Sequence, residues 1–540
     1  MFKCKQLLRR ICVVSYVFLL CGGLVNASNL GSKSNTLIGT QGNGWASGYL
    51  YPGATYPFGM VQFTPTYFTK QLGFVINQLS GAGCDHMGNF PTLPIAGALR
   101  VSPDSILNMQ TPVGKEIGTA GYYAATVDHS IRAELTVTER TGMARYTFSS
   151  KEKQGTVIIG GGVAATPIQV AAIKITGPHS CEGYAEGGAF CGIPTPYKVY
   201  FVAEFDADAE SFGTWKEERL HANHTFAEGS HSGVYFTFPL KEGNQAVQYK
   251  IGVSYVSVEN ARENLRVENP AWDFSAVRQA TQDKWNEYLG KIEVEGDNED
   301  RQMQFYTHLY RSLIHPNVCS DVNGEYMGAD SQVHKTARKF YTSFSNWDTY
   351  RTQTALIAML APEETSDIVM SHYLFAEQSG GGFPRWVLAN IETGVMQGDP
   401  TPILVANAYA FGARTYDPRT LLRTMRYGAE VPGANSQGVL TRPGLEQYLE
   451  KGYYDASILL EYTSSDFAIG RFALQACNDE PVCNWYTQRA MNWKNLFNKE
   501  TGWLQSRNED GSWKRYDADW RESTYKNYFW MVPYDLQGLI

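Results

Sequence analysis

No long basic run occurs in this chain. It carries 46 Lys and Arg against 54 Asp and Glu, a formal net charge of -8. Lys3, Lys5, Arg9 and Arg10 all fall in the first 27 residues, so the remainder is more acidic still. That balance argues against nucleic acid as a partner. His and Cys pairs at matching spacing are missing too, which speaks against a zinc site. The apolar run at 11–20 is too short for a comfortable transmembrane helix. Neither a sequence repeat nor a low-complexity tract is present, so a solenoid is not indicated. Gly39-Thr40-Gln41-Gly42-Asn43-Gly44-Trp45 does not make a dinucleotide loop, because no strand-turn-helix context follows it.

What is present begins with a secretory pattern. A basic start, the apolar stretch and Val25-Asn26-Ala27 predict a signal peptide over residues 1–27. Leu19-Leu20-Cys21-Gly22 hints at a lipoprotein box, but bulky Leu20 occupies a position that takes a small residue. Secreted or periplasmic release is therefore preferred to anchoring at Cys21, and no transmembrane segment is expected after cleavage. Six of the nine cysteines follow the signal. In an oxidising compartment Cys181 with Cys191 and Cys477 with Cys483 are plausible local disulfides. Cys84 and Cys319 have no local partner, and Cys84 is expected to be a free thiol.

Short alternating runs at 133–138, 156–160, 198–205, 233–238 and 249–256, separated by Gly, Asn, Asp and Ser clusters, predict an antiparallel β-sandwich over residues 28–268. An amphipathic helix from 271 to 289, opened near Asn269-Pro270 and closed by Gly290, predicts a helical linker over 269–293. From 294 onward the period becomes helical, with segments at 302–314, 349–360, 364–377, 402–416, 456–475 and 482–497. Repeated helix pairs joined by long aromatic-rich loops suggest an α/α toroid. The fold class expected is α+β multidomain, sandwich then barrel.

Aromatics are abundant, 13% of the chain with 12 Trp and 33 Tyr, a content that suits stacking on sugars as well as large cores. Glu522 lies in Trp520-Arg521-Glu522-Ser523-Thr524-Tyr525-Lys526-Asn527-Tyr528-Phe529-Trp530. A carboxyl ringed by aromatics suits a proton donor, since apolar neighbours disfavour its ionised form. In Trp347-Asp348-Thr349-Tyr350-Arg351, Asp348 reads as a helix N-cap or as a partner for neighbouring hydroxyls beside a stacking Trp. Leu79-Ser80-Gly81-Ala82-Gly83-Cys84 reads as a ligand-facing loop or a β-turn. Glu392 and Asp399 precede a helix, where Asp399 could be a cap. No clustered Arg or His is evident near these loops.

Together these segments resemble glycoside hydrolase family 92, calcium-dependent exo-acting α-mannosidases. The resemblance also covers Pro52-Gly53-Ala54 with Pro57-Phe58-Gly59-Met60-Val61-Gln62, Phe305-Tyr306-Thr307, Pro316-Asn317-Val318, Ser320-Asp321-Val322-Asn323-Gly324 and Leu460-Glu461-Tyr462 with Asp466. It implies a β-sandwich followed by an (α/α)6 barrel over 294–540. It also implies inverting hydrolysis of terminal α-linked mannose on glycans or glycoproteins, and Ca2+ as cofactor. Glu522 is implied as general acid, with Trp347, Asp348, Arg351, Gly83, Cys84 and Glu392 contacting substrate.

Two departures stand out. Ser523-Thr524 replace the Gly-Asn that follows the acid in the family, and Gln397-Gly398-Asp399-Pro400 stands where many members carry Gly-x-His. The family's Asn-Glu-Pro and Gly-Asn-Asp-x-Gly segments, the second bearing the general base, are not found. The chain is thus expected to be C-terminally truncated, its barrel incomplete and the fragment inactive, with base and calcium ligands beyond residue 540. Other readings are a non-catalytic glycan-binding relative and another inverting glycosidase or phosphorylase on a similar fold. A phosphorylase would want the basic pocket that the sequence does not display.

Overall fold

The computed structural model describes residues 29–41, 48–65, 73–104, 113–242 and 245–540. The signal-peptide and Cys21 readings, and most of the 39–45 glycine loop, lie outside the described residues.

Two antiparallel sheets form the N-terminal layers. The eight-stranded sheet runs Ala54–Thr55, Gln62–Pro65, Phe74–Val75, Thr92–Ala96, Gln154–Gly160, Ser232–Pro239, Ser211–Lys216, Arg219–Ala222. The nine-stranded sheet has Lys198–Phe205 and Ala246–Ser254 near its centre, paired with Phe201 opposite Val253. The alternation seen in sequence is the pleat itself. In Ser180–Gly187 every second residue is buried, Cys181 and Ala185 among them. Phe205, Phe236, Phe238 and Tyr249 interlock between the layers, with ring centroids 4.9–6.4 Å apart. Burying each such ring stabilises the sandwich by roughly 1.5–3 kcal/mol.

Two helices follow. Val258–Glu268, capped by Ser257, packs Ala261 and Leu265 on Val202 of the sheet. Phe274–Leu289 starts three residues later than the pattern indicated, because the Asp273 side chain accepts from Ala276 N and fixes the first turn. The helical part contains Glu299–Ser312, Gln353–Leu360, Pro362–Ser379, Thr401–Ala410, Ala456–Cys477 and Glu480–Ala490, at the segments with helical period. Pro418–Glu430 and Leu445–Lys451 went unread. The fold is thus α+β and multidomain, a sandwich followed by α/α helix pairs.

The two parts are closely joined. Phe58 N donates to Leu313 O at 2.9 Å, and Val318 N donates to Phe58 O at 2.8 Å. Trp285 Nε1 donates to Thr55 O at 2.7 Å. Buried Asp321 accepts from Ser254, Asn260 and Asn264 at 2.6–2.9 Å.

The cysteine reading is corrected. Cys84 is not a free thiol but is bonded to Cys191 across 107 residues of sequence, while Cys181, Cys319, Cys477 and Cys483 are free and buried. Strand alternation turns Cys181 into the sandwich core, away from the hairpin turn that carries Cys191. Cys477 packs among Ile469, Phe472 and Tyr486 on the inner side of its helix, so the short link to Cys483 does not aim the two sulfurs at each other.

Candidate active site

Strand Phe344–Ser345 runs straight into the short helix Asn346–Thr349. Asn346 Nδ2 anchors the junction on Pro384 O at 3.1 Å and Thr401 Oγ1 at 2.9 Å. The next residues converge on one carboxylate. Glu461, fully buried in helix Ala456–Cys477, accepts from Trp347 Nε1 at 2.9 Å, Tyr350 OH at 3.0 Å and Arg351 Nη2 at 3.2 Å. Burial pushes its carboxyl above the usual range, against the pull of Arg351. Gly398 lets the helix come this close, since a Cβ there would stand 2.6 Å from Glu461 Cβ.

Segment 347–351 divides two clefts. The first, about 360 Å³, is lined by Trp347, Arg351, Glu522, Tyr528 and Trp530 among others. Glu522 is exposed rather than enclosed by aromatics, and its φ of 53° is left-handed. A non-glycine residue held there costs about 1 kcal/mol or more, and such positions cluster at functional sites. The loop is tied from below. Tyr528 OH donates to Arg521 O at 3.0 Å, Gln397 Nε2 donates to Tyr528 OH at 3.2 Å, and Ser457 Oγ donates to Gln397 Oε1 at 3.1 Å. Gln397, where the sequence departs from the resembling family, therefore supports the loop that carries Glu522.

The second cleft, about 430 Å³, lies between sandwich and helices. Residues 79–82 form one rim, with Arg311, His315, Asp348 and Trp386 opposite. Asp348 is exposed and accepts from Ser345 Oγ. It lies inside the short helix and does not cap the following one, whose N-terminus has no side-chain cap. Gly83 and Cys84 continue the 79–82 rim without lining the cleft. Gly83 has φ 85°, with open space where a Cβ would be. Buried His86 Nε2 accepts from Leu79 N at 2.6 Å, which puts its proton on Nδ1, facing Cys84 O at 2.7 Å. Burial holds His86 at a pKa of about 4, hence neutral. The disulfide carries the loop on to Phe190, whose ring stacks on Trp386 at 4.1 Å.

Basic residues do gather here, contrary to the sequence reading. Arg311, however, donates to Thr36 O and Ile38 O, and burial keeps His315 neutral, its pKa also about 4.

Two expected residues have structural partners. Glu392 is buried and accepts from the backbone N–H of Arg385, Trp386 and Gly394 at 2.6–3.2 Å. Asp399 is no cap. It accepts from Arg442 Nε at 2.8 Å, and Arg442 Nη1 reaches Asp466 at 2.8 Å. Asp466 also accepts from Arg489 and Tyr448. Burial acts to raise the Asp466 carboxyl, yet Arg489 and Arg442 outweigh it and hold it below the usual range. The sequence reading did not assign Glu461 a role. Its signal was a lone charge inside the apolar stretch Ile458-Leu459-Leu460-Glu461-Tyr462.

Among the described residues no three His, Cys, Asp or Glu side chains are grouped to hold a metal ion. The resemblance implies calcium ligands beyond residue 540, so the described residues leave the calcium expectation untested.

An N-terminal sandwich and a helical second part agree with the two family domains that the chain matches. Residues 35–254 match the glycosyl hydrolase family 92 N-terminal domain, and 260–540 match its catalytic domain. The chain belongs to glycosyl hydrolase family 92. As a family 92 protein it is an α-mannosidase-like glycoside hydrolase.

The fold is that of a family 92 α-mannosidase from Bacteroides thetaiotaomicron (TM-score 0.86, 24% identity, 95% of this chain and 72% of that one). An inverting family 92 mannosidase from the same organism superposes with TM-score 0.84 at 25% identity, covering 95% and 71%. An uncharacterised secreted glycosidase of Arthroderma benhamiae is 25% identical over 93% of this family 92 chain and 71% of its own length.

Proposed function

We propose that the protein removes terminal α-linked mannose from glycans or glycoproteins by inverting hydrolysis, with Glu522 as the general acid. The observation that carries this reading is the placement of Glu522 in one cleft with Trp347 and Arg351, while Asp348 of the same segment opens into the interdomain cleft. Trp347, held by Glu461, lines the Glu522 cleft. Asp348 offers carboxylate oxygens to neighbouring hydroxyls, and the loop carrying Gly83 and Cys84 borders that site. Glu522 gives its proton to the glycosidic oxygen as the bond to the anomeric carbon breaks. The mannose-directed relatives support the sugar assignment, one of them being known in complex with mannoimidazole.

Inversion needs a second carboxylate, roughly 6.5–9.5 Å from the acid, to activate water on the opposite face. We leave that role to a carboxylate other than buried Glu461, Asp399 and Asp466, whose oxygens the fold already holds. Calcium dependence then rests on ligands outside the described set, and loss of activity on chelation is its check. Secretion is supported by the secreted relative. Among the described residues no helix is long and apolar enough to cross a membrane.

The deciding experiment assays the protein on an α-mannosyl disaccharide and follows the anomer released. Release of β-mannose is expected. Release of α-mannose would remove inversion, and no turnover would remove the mannosidase reading.

A further inference from the structure

A side chain at the tip of a glycine-rich hairpin ordinarily stands in water. In Gly187-Gly188-Ala189-Phe190-Cys191-Gly192 the ring of Phe190 is instead only 1% exposed. Strand pairing across the turn, with Phe190 opposite Ile193, fixes its backbone. The hairpin is rooted in the sandwich. Tyr197, just beyond it, donates its OH to Asn89 Oδ1 at 2.6 Å, and Asn89 N donates to Asn77 Oδ1 at 2.8 Å. Asn77 and Asn89 close the base of the loop that carries the 79–82 rim. The Cys84–Cys191 bond ties the same loop to the hairpin tip. Loop and hairpin are therefore joined at both ends and form one body.

Phe190 is where that body meets the helical domain. Its ring stacks on Trp386 at 4.1 Å with 30° between the planes, and His86 meets it edge-on at 6.1 Å. His86 in turn holds Leu79 N. On the far side Trp386 lies opposite Ser345 in the paired strands, and Ser345 Oγ donates to Asp348. Leu79, Trp386 and Asp348 all line the interdomain cleft. A continuous series of contacts thus runs behind the cleft from its rim to its carboxylate, with Phe190 at the centre. Close-packed groups transmit displacement rather than absorb it, so such a series sets the spacing of what it carries.

We propose that Phe190 is a positioning residue: through this ring the sandwich reaches across the domain boundary and sets the gap between the 79–82 rim and Asp348. The proposal rests on the reading of the interdomain cleft as sugar-binding.

The test compares the protein with its Phe190→Leu and Phe190→Ala variants, the first keeping most of the apolar volume without the ring. Amide hydrogen exchange and steady-state kinetics on an α-mannosyl disaccharide are both read. Exchange over residues 79–86 should quicken roughly tenfold, while the sandwich strand Gln154–Gly160 keeps its wild-type rate. KM should rise roughly five- to tenfold with kcat within about twofold. Adding Cys84→Ser and Cys191→Ser to Phe190→Leu should raise KM by less than the product of the separate effects, because both act on one body. Unchanged exchange over 79–86, or equal quickening in Gln154–Gly160, overturns the coupling. Faster exchange over 79–86 with unchanged KM overturns the positioning of substrate. A wild-type protein that does not turn over the disaccharide overturns the mannosidase reading by itself, and exchange still decides whether Phe190 holds the rim.

Discussion

Two sets of carboxylates in the helical domain differ sharply. Beneath the clefts, Glu461, Asp399 and Asp466 are buried and have all been given partners: one guanidinium and two other donors for Glu461, Arg442 for Asp399, two guanidiniums and Tyr448 for Asp466. At the surface, Glu522 sits on a left-handed residue with its side chain open to a cleft. A buried charge must be compensated to persist, so its acceptor capacity is taken up by the fold. A group that has to meet substrate keeps that capacity open and is positioned by backbone instead. The two departures from family pattern fall on this division, Gln397 in the support and Ser523-Thr524 in the acid loop.

Removing a buried charge should break the comparison most severely. Asp466→Asn leaves Arg442 and Arg489 poorly compensated and should cost about 3–5 kcal/mol, read by denaturant unfolding. The sign of its pH dependence follows from its low carboxyl. The stabilisation is complete above the unfolded value of about 3.9 and is lost as pH falls through the lower folded value. Stability that did not depend on Asp466 in acid would show the pair to be idle.

Next in size is the loop tie. Replacing Cys84 and Cys191 together by Ser should lower stability by about 2–4 kcal/mol and raise KM by loosening the rim. Equal KM for variant and wild type would detach the loop from substrate binding.

Smallest in stability is Glu461→Gln. Glu461 has one guanidinium rather than two, and burial already disfavours its charge, so the amide should cost only about 1 kcal/mol. It should nevertheless raise KM with little change in kcat, because Trp347 and Arg351 lose their common anchor. A melting-point drop as large as that of Asp466→Asn, with kinetics unchanged, would make Glu461 purely structural.

Much of this was legible in the sequence. Period-two runs gave the sandwich strands, and the helical period gave six of the helical segments, because burial on one face leaves a regular pattern. Pro418–Glu430 escaped notice behind a polar face rich in Arg and Thr. The resemblance drew Trp347, Asp348, Arg351 and Glu522 to attention, and the fold puts the first three on one segment between the clefts. The disulfide was misread because pairing depends on where strand alternation and helix faces aim each sulfur, while spacing alone favoured near neighbours. Glu392 and Asp399 were read as loop carboxylates. Only three dimensions bring three backbone N–H groups to the one and Arg442 to the other.

The central claim is that the exposed carboxylate does the chemistry and the buried ones hold the site. Its most direct test is Glu522→Gln in the full-length protein, assayed on an α-mannosyl disaccharide and on α-mannosyl fluoride beside a thermal melt. The disaccharide rate should fall about 10²–10⁴-fold, because a poor leaving group needs the proton that an amide cannot give. The fluoride should be affected much less, and the melting temperature should hold. Equal loss on both substrates, accompanied by a lowered melting temperature, would contradict the account and place Glu522 among the structural carboxylates.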